Sequence, residues 1–231
     1  MKNILITGVS SGLGEALAKT YLENGDTVHA IGKTIPKKLD HYPHFFFFPC
    51  DLSETFTLQA TLKEFLEHRS FDIAILNAGV LGDIQTLSQT ELTDIKRVME
   101  INVWANKELI DALHAYAHVK QIVGISSGAA IKGSKGWGAY ALSKAGLNML
   151  LSVYAKELPD IHFTALAPGV IHTSMVQHII DKVDDEIFTS AKQLKSGNIQ
   201  MPQAAARHLI ATFPKLLAYE SGSFLDVRTM D

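Results

Sequence analysis

The stretch Lys2-Asn3-Ile4-Leu5-Ile6-Thr7, followed at once by Gly8-Val9-Ser10-Ser11-Gly12-Leu13-Gly14, decides how the rest of the chain is read. A short apolar run that stops at a glycine turn reads as a buried strand, and the apolar spacing continuing through Leu22 reads as a helix. The unit is therefore strand, glycine turn, helix. Glycines in such a turn let the backbone bend sharply and bring the helix N-terminus close to an anion such as a pyrophosphate, whose charge the helix dipole favours. The spacing here is G-x-x-x-G-x-G, a variant of the more common G-x-G-x-x-G.

Working outward, short apolar strands are predicted near 2–7, 26–31, 44–49, 72–76, 120–125, 161–167 and 223–227, with helical patterns between them. Parallel neighbours need crossover connections, so this alternation predicts an α/β fold: a parallel sheet covered by helices on both faces. The doubly wound order 3-2-1-4-5-6 follows, with its ligand crevice at the carboxyl ends of the strands. Gly8, Asn77, Ser127 and Pro168 each come just after a predicted strand, so four distant segments converge on one edge of the sheet. Phe45–Phe48 reads as a fully buried strand. The 231 residues, 47% of them hydrophobic, fit one domain spanning 1–231 with no repeat or low-complexity linker.

Tyr140 and Lys144 stand four residues apart in Tyr140-Ala141-Leu142-Ser143-Lys144, and Ser127 lies thirteen residues before Tyr140. A helix from Trp137 to about Lys156 would put the phenol and the ammonium on one face. A neighbouring cation should then lower the tyrosine pKa from about 10 toward the range useful for acid–base work. Ser126 competes with Ser127 for a place beside the tyrosine. Adjacent strand-end side chains face opposite ways, so only one of the two should reach the site.

Thr7-Gly8-x-x-x-Gly12-x-Gly14 together with Ser127, Tyr140 and Lys144 resembles the short-chain dehydrogenase/reductase family, and the resemblance extends along nearly the whole chain. Asn77-Ala78-Gly79 is similar to the family's Asn-Ala-Gly signature, with Leu76 where a second asparagine often stands. Asp51-Leu52 corresponds to its adenine contact, Asn102 to its relay asparagine, and Pro168-Gly169-Val170-Ile171-His172-Thr173 to its nicotinamide-side Pro-Gly-x-x-x-Thr segment. The resemblance implies a seventh strand, giving the order 3-2-1-4-5-6-7. It implies cofactor contacts from Gly8, Ser10, Ser11, Gly12, Leu13, Gly14, Lys33, Asp51, Leu52, Asn77, Ala78, Gly79, Tyr140, Lys144, Pro168, Gly169, Val170, Ile171 and Thr173.

The implied activity is reduction of a ketone, diketone or aldehyde by hydride transfer, with Tyr140 as proton donor. Ser127 would orient the carbonyl, Lys144 would tune the tyrosine and hold the nicotinamide ribose, and Asn102 would anchor a relay water. The second strand ends in Gly32-Lys33-Thr34, with no carboxylate to bind a ribose and a cation just beyond, which favours NADP(H) over NAD(H). Ser126–Ala130 and Gly136-Trp137-Gly138-Ala139-Tyr140 look like the sepiapterin reductase and benzil reductase branch, while 174–201 would form a lid over the substrate. Trp137 either lines the pocket or staples the start of the helix. Family members commonly pair through the helices bearing Asn102 and Tyr140, which implies a homodimer or homotetramer.

Composition removes other classes. A net charge of −3 with scattered basic residues offers no footprint for nucleic acid or an anionic membrane. The lone Cys50 forms no internal disulfide, fits a reducing compartment and reads as a small core residue. No apolar stretch reaches membrane-span length and the first strand starts at the N-terminus, so no membrane association, no signal peptide and a cytoplasmic location are expected. His114 and His118 have i,i+4 spacing but no acidic or cysteine companions, so no metal site is expected; His172 lies inside the Pro168–Thr173 segment. Two alternatives remain open: a dinucleotide-sensing regulatory protein with little turnover, and a sugar-nucleotide enzyme. The latter usually needs a far larger C-terminal domain.

Overall fold

A computed structural model describes residues 1–230. The elements run β1 (Asn3–Thr7), α1 (Gly12–Glu23), β2 (Thr27–Gly32), β3 (Phe45–Pro49), α2 (Thr55–Leu66), β4 (Arg69–Phe71), β5 (Ile73–Leu76), α3 (Leu92–Met99) and α4 (Ala105–Tyr116). They continue with β6 (Ala117–Val119), β7 (Gln121–Ile125), α5 (Gly138–Glu157), β8 (His162–Ala167), α6 (Ser174–Lys182), α7 (Thr189–Ser196), α8 (Pro202–Leu216) and β9 (Ser223–Asp226). Seven strands form one parallel sheet in the order β3-β2-β1-β5-β7-β8-β9. Setting aside the short β4 and β6, this is the expected 3-2-1-4-5-6-7 order.

Alternation along β1 shows how the sequence divides the core. Ile4 and Ile6 pack with Leu13, Leu17 and Tyr21 of α1 and Leu209 and Phe213 of α8. Leu5 points the other way, among Leu58 and Leu62 of α2, Leu109 and Leu113 of α4 and Leu147 and Leu151 of α5. Each fully buried leucine or isoleucine contributes about 1.5–3 kcal/mol of transfer free energy, so two apolar faces hold the sheet between two helical layers. In-register parallel pairing, Ile4 with Val28 and with Ile73, brings the carboxyl ends of the central strands to one edge.

One local expectation is corrected and two local details are added. β3 is the outer strand of the sheet, and Phe46 is 45% exposed, so the phenylalanine run is half covered rather than fully buried. An edge strand lacks a neighbour on one side, which a continuous apolar run does not reveal. β4 and β6 pair as a separate two-stranded parallel ribbon that three-residue segments are too short to announce. His114 ends α4 while His118 sits in β6, so the two imidazoles do not share a helix face. Among the described residues no helix is long and apolar enough to cross a membrane.

Candidate active site

The strand ends are tied together before any ligand is considered. Thr7 Oγ1 accepts from the backbone N–H groups of Asn77 and Ala78, each at 3.0 Å. Asn77 Nδ2 donates in return to the carbonyls of Thr7 at 3.0 Å and Gly8 at 3.1 Å. Gly14 lies directly behind this clamp: a Cβ there would sit 2.2 Å from the Gly8 carbonyl oxygen and 2.5 Å from Asn77 Nδ2. Only glycine lets α1 approach the turn so closely.

The N-terminus of α1 opens onto the resulting cleft, and its N-cap Ser11 makes no side-chain capping bond. The first-turn amides, uncapped by any side chain, therefore suit an anionic ligand group. The cleft encloses about 530 Å³ and runs along the carboxyl edge of the sheet. It is lined by Gly8, Ser10, Ser11, Gly12 and Leu13, by Lys33, Asp51 and Leu52, by Asn77, Ala78 and Gly79, and by Ser127, Tyr140 and Lys144. Pro168, Gly169, Val170, Ile171 and Thr173 complete that wall.

Two expected residues stand behind the wall. Gly14 is the packing contact just described. Asn102 is fully buried on a π-helical turn, Glu100–Trp104, between α3 and α4. Its Oδ1 accepts from Val80 N–H at 2.8 Å, and its Nδ2 donates to Val80 O and to Ser143 Oγ, both at 2.9 Å. One amide proton thus holds the Gly79-Val80 turn and the other ties Asn102 to Ser143 on α5. The Asn102 carbonyl already accepts from Asn106 Nδ2 at 2.8 Å.

The serines divide as strand alternation requires. Ser126 is buried, its Oγ donating to Asn148 Oδ1 on α5 at 2.5 Å. Ser127 Oγ accepts from Ala129 N–H at 3.1 Å, which leaves its own proton free for another acceptor. Helix α5 begins at Gly138, one residue after the sequence-based start, and carries Tyr140 and Lys144 one turn apart. Lys144 is 4% exposed, donates to the Ile125 carbonyl at 2.8 Å, and places Nζ 5.7 Å from the Tyr140 ring centroid.

The electrostatics differ from expectation. Burial pushes the Tyr140 phenol up to about 12, and hydrogen bonding toward Ser127 pulls it only partly back. Burial likewise lowers Lys144 to about 8. The lysine was expected to depress the tyrosine. Desolvation dominates instead, because the low-dielectric surroundings disfavour the charged form of both groups.

At the far end Lys33 Nζ bonds Asp51 Oδ2 at 2.7 Å. Burial would raise Asp51, but the hydrogen bonds from Lys33 and Ser53 outweigh it and bring the carboxyl down to about 2. The sequence gives no hint of this pairing across two strand ends. Cys50, read as core, is half-buried and lines the cleft beside Asp51. Val80, Ile101 and Met175 also line it. Val80 and Ile101 are signalled only by adjacency to Gly79 and Asn102, whereas Met175 falls in the 174–201 segment expected as a lid. His172 is exposed and outside the lining.

Residues 2–184 match the short chain dehydrogenase family, and the chain belongs to it. It is an oxidoreductase of that family, with NAD(P)(H) as the cofactor class and small molecules as substrates. Among its relatives is a benzil reductase, (S)-benzoin forming, of Bacillus cereus, 30% identical over 243 residues, covering 93% of this chain and 97% of the relative. A benzil reductase of Bacillus subtilis is 28% identical over 245 residues, covering 99% of both. The fold matches a Saccharomyces cerevisiae short-chain dehydrogenase/reductase with a TM-score of 0.83 at 24% identity, over 98% of this chain and 96% of that one. A Burkholderia multivorans short-chain dehydrogenase/reductase with bound NADP matches with a TM-score of 0.79 at 22% identity, covering 99% and 97%.

Proposed function

We propose that the protein is an NADP(H)-dependent carbonyl reductase for apolar, aryl-bearing ketones and vicinal diketones, with Tyr140 as proton donor. The observation that carries this reading is the enclosure of Tyr140, Ser127 and Lys144 at one end of a cleft whose other end presents an uncapped helix and Lys33. The names of the benzil reductase relatives support the substrate class. Lys33, whose ammonium lines the cleft beside Asp51, supports the choice of a 2′-phosphorylated dinucleotide.

When bound, the reduced nicotinamide supplies the hydride. Ser127 donates to the substrate oxygen, stabilising charge as it grows there. Tyr140 then gives its proton to that oxygen. A phenol held at about 12 carries its proton at neutral pH but is a weaker acid than free tyrosine, so donation relies on the charge that grows on the substrate oxygen. Lys144 keeps two ammonium protons beyond the one given to Ile125 and would hold ribose hydroxyls beside Gly79. Asn102 secures the Val80 end of the wall, and the family resemblance assigns it the anchoring of a relay water.

Trp104, Leu142, Met149 and Val153 are exposed on or next to α4 and α5, which supports a homodimer or homotetramer through these helices. Oxidation of NADPH and NADH should be followed against aldehydes, monoketones, vicinal diketones and pterins. The highest kcat/KM is expected for an aryl diketone with NADPH. No turnover across the panel, or turnover confined to NADH, would overturn the assignment.

A further inference from the structure

We propose that Lys135-Gly136-Trp137 is a latch that holds the 173–199 segment closed over the substrate end of the cleft, with Trp137 as a specificity-determining residue. The inference rests on the carbonyl-reductase reading for its substrate consequence but not for the latch itself. The segment is tied at its base by backbone bonds alone: Gln200 N–H donates to Val170 O at 2.9 Å, and His172 N–H donates to Gln200 O at 2.8 Å. Between these ends α6 and α7 form a flap, of which Met175, Val176, Ile179 and Leu194 line the cleft.

The flap's tip is held by side chains. Trp137 Nε1 donates to Ser190 Oγ near the start of α7. Gly136 has φ +93°, and the Phe188 ring occupies the place of a side chain, since a Cβ there would meet its Cδ1 at 2.5 Å. Lys135 Nζ covers the same ring from 5.8 Å. Ile179, Val183 and Ala191 are buried beneath, packed with Trp137 and Phe188 in a cluster separate from the two main cores.

The same indole lines the cleft and meets the Tyr140 ring edge-on, centroids 6.3 Å apart. One residue thus seats the flap and forms the wall next to the proton donor. Opening the flap would break one side-chain hydrogen bond and expose a small apolar cluster while leaving the backbone hinge intact. Closure then completes a flat apolar wall, and a substrate large enough to reach Trp137, such as an aryl ketone, gains contacts that a small aldehyde does not.

The test uses Ser190→Ala, which removes the acceptor, Trp137→Phe, which keeps a ring without the N–H, their double variant, and Ser190→Thr, which retains the hydroxyl. Trypsin cleavage within the flap, at Lys182 and Lys192, reads the open population without any substrate. Loss of one net hydrogen bond is expected to speed cleavage roughly two- to tenfold in either single variant. The double variant should add little, because both changes remove the same bond, and Ser190→Thr should restore the slow rate. In the same variants KM for an aryl diketone should rise more than KM for a small aldehyde, with kcat changing less than KM. Unchanged cleavage, additive effects or no rescue overturns the latch. Cleavage as expected without carbonyl turnover in the parent protein would leave the latch standing and sink the substrate assignment.

Discussion

Replacing Tyr140 by phenylalanine removes one oxygen from the centre of the site and very little else. The hydroxyl's partner is Ser127, which keeps its bond from Ala129 N–H, and the ring keeps its edge contact with Trp137. The stability change is therefore one net hydrogen bond, about 1 kcal/mol, offset by the easier burial of an apolar ring. For 231 residues at about 2.1 cal/mol/K each, the unfolding entropy converts that to a fall in Tm of roughly 2 °C. Loss of a general acid costs far more in rate, about 10²- to 10⁴-fold, or roughly 3–5 kcal/mol of barrier. NADPH affinity, measured by the protection or fluorescence of the bound dinucleotide, should change less than threefold. Steady-state oxidation of NADPH with an aryl diketone, beside thermal melts of both proteins, separates the two effects. A variant that turns over within tenfold of the parent would refute the assignment of Tyr140, whereas one that melts far lower would show that the hydroxyl holds the fold.

Lys33→Ala should free the Asp51 carboxylate to repel a 2′-phosphate, shifting the NADPH-to-NADH ratio of kcat/KM at least tenfold toward NADH; an unchanged ratio makes Lys33 a surface lysine paired with Asp51. Gly14→Ala forces a methyl against the Gly8 carbonyl and Asn77, so overpacking of about 1–3 kcal/mol should lower Tm by roughly 2–6 °C and weaken dinucleotide binding; a variant as stable and as tight as the parent contradicts the clamp. His29 is 5% exposed, stacked on Phe46 at 5.1 Å, with Nδ1 unpartnered. Burial, then the charge of Arg69, lowers it to about 4. The unfolded chain takes up that proton near pH ~6.5, so its contribution of about 3 kcal/mol is complete above that pH and disappears as pH falls toward 4. Urea midpoints of the parent and His29→Leu at pH 7 and pH 4.5 should show a flatter acid limb in the variant; parallel limbs would mean that His29 is already protonated when folded.

Much of the site is legible in the linear pattern because it depends on where strands stop. Gly8, Asn77, Ser127 and Pro168 follow β1, β5, β7 and β8, and a parallel sheet must bring such positions to one edge. Helical spacing likewise sets Tyr140 and Lys144 on one face of α5, and strand alternation separates Ser126 from Ser127. The pattern fails where a residue's neighbour is distant. Asn102 reads as a site residue from its motif, but only the fold shows it on a π-helical turn with its amide spent on Val80 and Ser143. Cys50 and Phe46 read as core because apolar character does not say which strand ends the sheet.

What local order along the chain decides here is the class of fold, the edge that carries the chemistry and the residue types gathered there, since period, turn and crossover are short-range properties. Packing decides the rest. Tyr140 is held at about 12 because enclosure strips water from both it and Lys144, and desolvation belongs to a place in the fold rather than to a spacing. Lys33 meets Asp51, and Trp137 meets Ser190 across 53 residues, only because separate elements end at the same cleft. Such contacts leave no periodic trace in the sequence, which is why the residues that shape the substrate end of the site emerge only when the chain is folded.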